Sequence, residues 1–305
     1  MNYILIHGFQ SKSTKWVTEI KNELFKNNNK TNVLTVDWKT GSIYINAVKK
    51  IADSANGVND ILKRLFRQGF FMVDELKRMN IHCIGHSLGA HFCGKLGNLL
   101  QKDLGLKLMR ITALDPAGPC FKNYDDYSRL DKNDADYVDV IHTSSVFGIQ
   151  EPIGHSNYYP NGGRNQCEKS KKMFSGLGKK LTSALLKFIN LFSQCKEVDF
   201  EIDFGESRLI RHKRFLKGLA KGLIKHSIMC DHNKSYKYFI ESIRNSSCRF
   251  MGRECNKNGI KRDEENGSKH CMSNMMGFFS RKEATNGTHV YELETNLNEP
   301  FCKLN

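Results

Sequence analysis

Nowhere in the 305 residues is there an uninterrupted apolar run long enough to cross a bilayer, so the chain is read as having no transmembrane segment. Acidic residues are scarce beside basic ones: 32 Asp and Glu stand against 47 Lys and Arg, a formal net charge of +15. That imbalance points to an anionic partner (nucleic acid, an acidic polymer or a lipid surface) or else to a solvated basic face. No recognisable nucleic-acid-binding module accompanies the charge, which excludes nucleic acid from the reading. There are no internal repeats. The opening shows no signal-peptide pattern, since Met1 leads within three residues into Tyr3-Ile4-Leu5-Ile6 without a basic start or a cleavage site. Either the protein is not secreted or, as is expected, the sequence lacks its true beginning.

Cysteine, by contrast, is plentiful. Ten cysteines indicate an oxidising compartment, and sequons at Asn245, Asn266 and Asn286 agree with a secretory route. Cys83 and Cys93 lie among apolar residues and read as buried thiols. Cys167, Cys230, Cys248, Cys255, Cys271 and Cys302 lie in polar, loop-like surroundings, as disulfide partners do. The 39% of hydrophobic residues supports a sizeable core in one large domain or two small ones.

Short apolar runs alternate with helical patterns through the first half, the mark of a parallel sheet with crossover helices. Strands are expected at Tyr3 to Ile6, Asn32 to Val36, Ile81 to Ile84, Met109 to Leu114 and Tyr137 to His142. Helical patterns cover Trp16 to Phe25, Ala47 to Met79 and His91 to Leu100. Lys169 to Met229 differs. It holds two basic amphipathic stretches, striped by Leu181, Leu185, Phe188 and by Phe215, Leu219, Leu223, around an alternating run from Val198 to Phe204. About half of the excess positive charge falls in this segment, which favours a binding surface over a general solubility device. From Cys248 the chain reads as polar, Cys-rich and loop-like, with a last strand at Val290 to Leu293.

The sharpest chemical signal is Gly85-His86-Ser87-Leu88-Gly89. It follows an apolar strand and precedes a helical run, the context a nucleophile elbow requires. Serine needs a base, and the base needs an acid to hold it. Asp115 follows directly on the strand ending at Leu114, where Pro116 bars a continuing helix; the same pair also suits an ordinary turn. Spacing alone leaves His232 no better placed than His142 or His155 as the base, although Cys230-Asp231-His232 offers a loop that a disulfide fixes. An oxyanion hole takes the backbone N–H of Leu88 and, from His7-Gly8-Phe9, that of Phe9.

Taken together, ILIHGF, VDW, IGHSLGAH, ALDPAGPCF, RLDKNDADYVDVIHT, GHSNYYPNGG and CDHNKSYKYFIESI resemble the pancreatic lipase family, in family order across nearly the whole chain. That family includes the arthropod lipases and venom phospholipases A1. The resemblance implies an α/β-hydrolase fold over residues 1–305: a mostly parallel central sheet flanked by helices, a long basic helical lid inserted at 168–229, and no C-terminal β-sandwich domain. It implies Ser87 as nucleophile, Asp115 as acid and His232 as base, with Phe9 and Leu88 as the oxyanion hole. It also implies a lid closed by Cys167 and Cys230. No cofactor is required for catalysis; a structural Ca²⁺ is implied at Asp131 and Asp134 with backbone oxygens of Asp126 and Arg129, against two solvated turn aspartates as the plainer reading.

Members of the family begin before the HGF strand, so the chain is expected to lack its N-terminal part and its signal peptide, and to be secreted. Asn157 stands where the family has Asp. The implied partner is a lipid substrate at an anionic lipid–water interface, engaged through the basic lid, with a self-packed mini-domain as the other reading. The short connection from Thr143 to Ile153 favours phospholipase A1, whereas the long lid favours triacylglycerol lipase. A non-catalytic, yolk-type lipid binder on the same fold tends to lose the nucleophile, and here all three triad residues are kept.

Overall fold

A computed structural model describes residues 1–10, 15–69, 79–122, 129–168, 223–244, 247–255, 261–262, 269–285 and 287–303. The expected lid helices and the alternating run at Val198 to Phe204 lie outside them, apart from the end of the second helical stripe.

The first half forms β1 (Asn2–Ile6), α1 (Lys15–Asn27), β2 (Asn32–Val36), α2 (Tyr44–Arg67), β3 (Ile81–His86), α3 (Leu88–Leu104), β4 (Leu108–Leu114), β5 (Ala135–Ile141) and β6 (Ser156–Pro160). α4 (Leu223–Arg244) follows, then β7 (Met251–Glu254), the small pair β8 (Lys261–Arg262) and β9 (Lys269–His270), β10 (Met272–Met275) and β11 (His289–Leu293). The main sheet runs in the order β10-β7-β11-β6-β5-β4-β3-β1-β2 among the described residues. Its pairings from β2 to β11 are parallel, and only β7 and β10 run against their neighbours.

Alternation explains why both faces are covered. Within β1, Ile4 and Ile6 join one apolar cluster while Tyr3 and Leu5 join the other. The first cluster receives α2 through Ala47, Ile51 and Ala55, four residues apart on one stripe, and α3 through Phe92, Leu96 and Leu100. The second receives α1 through Trp16, Ile20 and Leu24, and α4 through Phe239, Ile240 and Ile243. α3 ends at Gly105, whose φ of 62° gives the left-handed turn that closes a helix.

Three expectations are corrected. Cys83 and Cys93 are not thiols: they are disulfide-bonded across the turn from β3 into α3. Both are fully buried, so their apolar surroundings reflect depth rather than reduction. The region after Cys248 is not loop throughout, because β7 and β10 pair there, and Cys248–Cys302 and Cys255–Cys271 fasten it. Cys230-Asp231-His232 belongs to a helix, α4, rather than a loop.

Buried polar groups lock the middle of the sheet. Arg110 on β4 meets Asp139 on β5 through two bonds, Nε to Oδ1 at 2.7 Å and a terminal nitrogen to Oδ2 at 2.9 Å. Its remaining donors reach the carbonyls of Gly277 and Phe278, which anchors the C-terminal segment to the sheet. His91 acts similarly: its Nε2 donates to the Ala117 carbonyl at 2.8 Å, and its Nδ1 accepts from the Leu130 N–H at 3.1 Å.

His82, His86, His91 and His142 are all buried, and burial pushes each imidazole below its ordinary value. The folded protein therefore resists protonation at sites the unfolded chain titrates near pH 6.5. Stability is fully present above that pH and is lost as the pH falls through it, at about 1.4 kcal/mol per pH unit for each histidine. The urea midpoint is expected to drop steeply between about pH 7 and about pH 5.5; a flat profile would contradict this account.

Candidate active site

Parallel strands carry their loops to one end, and the carboxyl ends of β1, β3, β4 and β5 bring the candidate residues together. Ser87 stands between β3 and α3 with φ 58° and ψ −121°, a strained conformation for a residue with a side chain. Its N–H bonds the Leu114 carbonyl at 3.1 Å, which fastens the elbow to the neighbouring strand. Gly89 is required by close approach: a Cβ there would run into the Ile6 carbonyl of β1. Gly8 is required as well, since a Cβ would lie 2.7 Å from that of Ser87.

That contact shows how near the HGF loop comes to the serine. The loop is braced by Trp38 of the VDW motif, whose indole N–H donates to the His7 carbonyl at 2.9 Å and whose backbone N–H reaches the His7 ring. The Phe9 ring packs edge-on to Tyr44 at 5.3 Å. Leu88 is fully buried in the first turn of α3, where backbone N–H groups have no intrahelical acceptor.

Asp115 directly follows β4, with φ 46° and complete burial. One carboxylate oxygen accepts the N–H groups of Thr143 at 2.8 Å and Ser144 at 3.1 Å. The other meets His232 Nδ1 at 2.5 Å, across 117 positions of sequence. Burial drives the Asp115 carboxyl up, and the two N–H bonds oppose that rise. Burial also holds the His232 imidazole well below its usual range, so that it rests neutral with Nδ1–H facing the carboxylate. Ser87 Oγ makes no hydrogen bond to a described residue; the elbow and His232 meet instead through His86, whose ring centroid is 4.6 Å from that of His232.

α4 is held in place from its N-terminal side. Cys230 is bonded to Cys167, and the intervening Asp231 accepts the Cys167 N–H at 3.0 Å. Asp231 and the N–H pair under Asp115 left no mark in sequence patterns, because backbone donors and through-space caps have no residue signature.

The other two candidate histidines make different contacts. His142 also lies at the carboxyl end of the sheet, but its Nδ1 donates to the Ile149 carbonyl at 2.7 Å and its ring stacks on Tyr159. Asn157 lies 3.3 Å from His142 Nε2 and bonds both the N–H and the carbonyl of Gly154. His155 precedes β6 at the opposite end of the sheet, where its Nδ1 accepts from the Val138 N–H.

Of the implied calcium set, Asp126 lies outside the described residues. Asp134 takes the Asp131 N–H and the Asn98 amide, while Asp131 Oδ1 takes two donors from Asn133. Among the described residues Asp131 Oδ2 accepts no hydrogen bond. No cluster of three or more His, Cys, Asp or Glu side chains is placed to hold a metal among the described residues.

A parallel sheet enclosed by helices, with a strained serine at a strand-to-helix elbow, defines an α/β-hydrolase fold. The chain belongs to the Lipase family, whose model matches residues 2–178. It is 32% identical over 274 residues to pancreatic lipase-related protein 2 of Sus scrofa, covering 86% of this chain and 48% of that protein. Against pancreatic triacylglycerol lipase of Homo sapiens the identity is 32% over 253 residues, or 79% of this chain and 44% of that protein. The chain thus spans about half the length of the curated relatives it matches. Similarity to the solved RedJ thioesterase of Streptomyces coelicolor has a TM-score of 0.29 at 12% identity over 41% of this chain and 43% of that one, and carries no argument.

Removing Cys167–Cys230 by the double change Cys167→Ser and Cys230→Ser opens a link with a sequence separation of 63. By chain entropy this costs about 4 kcal/mol, to be read as a lower urea midpoint. An unchanged midpoint would show that packing alone fixes α4.

Proposed function

We propose that this chain is a secreted carboxylester hydrolase of lipids that works through Ser87, His232 and Asp115. The observation carrying the reading is the 2.5 Å bond from His232 to Asp115, made beside a strained serine elbow.

In this reading His232 Nε2 takes the proton of Ser87 as Oγ attacks the ester carbonyl. The N–H groups of Phe9 and Leu88 hold the oxyanion, and His232 returns the proton to the departing alcohol. Water, deprotonated by the same ring, then adds to the acyl-serine; fatty acid leaves and Ser87 regains its proton. Asp115 keeps Nδ1 protonated, which leaves Nε2 free to accept. Its fixed orientation comes from the Thr143 and Ser144 N–H groups.

The substrate reading is a glycerophospholipid cleaved as by a phospholipase A1, supported by the short connection between β5 and β6. Triacylglycerol hydrolysis is the second reading, favoured by relatives described as triacylglycerol lipases. The partner is an anionic lipid–water interface met by the basic segment 168–229; no described helix is long and apolar enough to cross a membrane. Secretion is supported by the disulfides at Cys83, Cys167, Cys248 and Cys255 with their partners. Calcium would be held by Asp131 and Asp134 with backbone oxygens of Asp126 and Arg129, and would supply rigidity to the turn before β5 rather than a chemical step. A chelator is then expected to lower the melting temperature by several degrees, with calcium restoring it; no change on chelation removes the ion from the account.

Ester hydrolysis on phosphatidylcholine and triolein emulsions, side by side, tests the main reading. Ser87→Ala is expected to abolish turnover, and Asp115→Asn to slow it by on the order of 10⁴-fold in a folded protein. Near-normal turnover in Asp115→Asn would move the acid elsewhere, and preferential release from triolein would select the second substrate.

A further inference from the structure

Against His232, and next to Ser87 in sequence, packs a side chain to which the mechanism gives no part. His86 precedes Ser87 as the last residue of β3, and is 3% exposed. Its Nε2 lies 3.2 Å from the backbone carbonyl of His232, so this nitrogen carries the proton and donates. The ring is boxed by Trp16 at 5.9 Å and Tyr236 at 5.3 Å, both edge-on, and by His232 itself at 4.6 Å. The carbonyl of His232 is also capped by Ser235 Oγ at 3.0 Å.

His86 Nδ1 is buried and meets no donor among the described residues. A phenylalanine would fill the same aromatic box without leaving a nitrogen unsatisfied. Packing therefore does not explain an imidazole at this position; among the described residues its one side-chain hydrogen bond goes to the carbonyl of the proposed base. That bond joins the β3 elbow directly to α4, across 146 positions of sequence. It is the only hydrogen bond between the GHSLG segment and His232 among the described residues.

We propose that His86 is a positioning residue: its Nε2–H holds the backbone of His232 against the elbow, so that the distance from base to nucleophile is set by β3 itself. The inference rests on the proposed triad. It separates His86 from the glycines of the elbow, which supply clearance, and from Asp115, which orients the imidazole from its other side.

The test compares the full chain as wild type, His86→Phe, His86→Gln and Ser87→Ala on a soluble p-nitrophenyl ester, with thermal melting alongside. His86→Phe is expected to fold and to lose on the order of tenfold to a hundredfold in kcat, as a small misplacement of the base does, with KM nearly unchanged. His86→Gln keeps an N–H donor of similar reach and is expected to recover most of the loss. A folded His86→Phe with full kcat would overturn the proposal, as would equal impairment of the Phe and Gln variants. A second readout does not depend on turnover: the downfield proton resonance of His232 Nδ1–H should persist in His86→Gln and broaden or shift in His86→Phe. Ser87-independent hydrolysis by the wild type would overturn the hydrolase reading instead, and the resonance would still decide the positioning role.

Discussion

The contact between His232 and Asp115 sets the terms for the rest of the molecule. It joins a helix near the end of the chain to the tip of a central strand, through buried atoms that water does not reach. A contact so distant in sequence cannot form until the strands between are registered. Parallel pairing brings the ends of β3, β4 and β5 to one level, and the two-faced core keeps that level rigid. α4 is then fixed from three sides: the disulfide at Cys230, the Asp231 cap on Cys167, and the apolar ridge of Phe239, Ile240 and Ile243 against the sheet.

Electrostatics follow from that depth. Desolvation drives the Asp115 carboxyl up, and two backbone N–H groups from the β5–β6 connection oppose that rise. The same desolvation pushes the imidazoles of His82, His86, His91 and His142 below their ordinary value. The site and the scaffold therefore share one requirement, which is that water and protons stay out of the interior.

Much of this was legible in the residues. β1, β3 and β4 are short apolar runs between turn signals, and Ser87 announces itself because an elbow needs both its glycines and its flanking elements. Asp115 was visible by its place after a strand. What escaped was what depends on meetings through space. His232 could not be told from His142 by spacing, because what separates them is which ring faces the carboxylate. β7 reads as Met-Gly-Arg-Glu, too short and polar to stand out, and becomes a strand only because β10 and β11 offer it partners. Cys83 and Cys93 looked like thiols since an apolar neighbourhood says nothing about what lies opposite a sulfur.

That last bond has a further meaning. Cys83 and Cys93, ten positions apart, close a small covalent ring around the elbow, with Ser87 inside it. The backbone twist at Ser87 is then held both by this local hoop and by the bond of its N–H to Leu114 on the neighbouring strand. Because the ring is closed within β3 and α3, the turn that carries Ser87 is tethered independently of α4, which brings His232 from the far end of the chain.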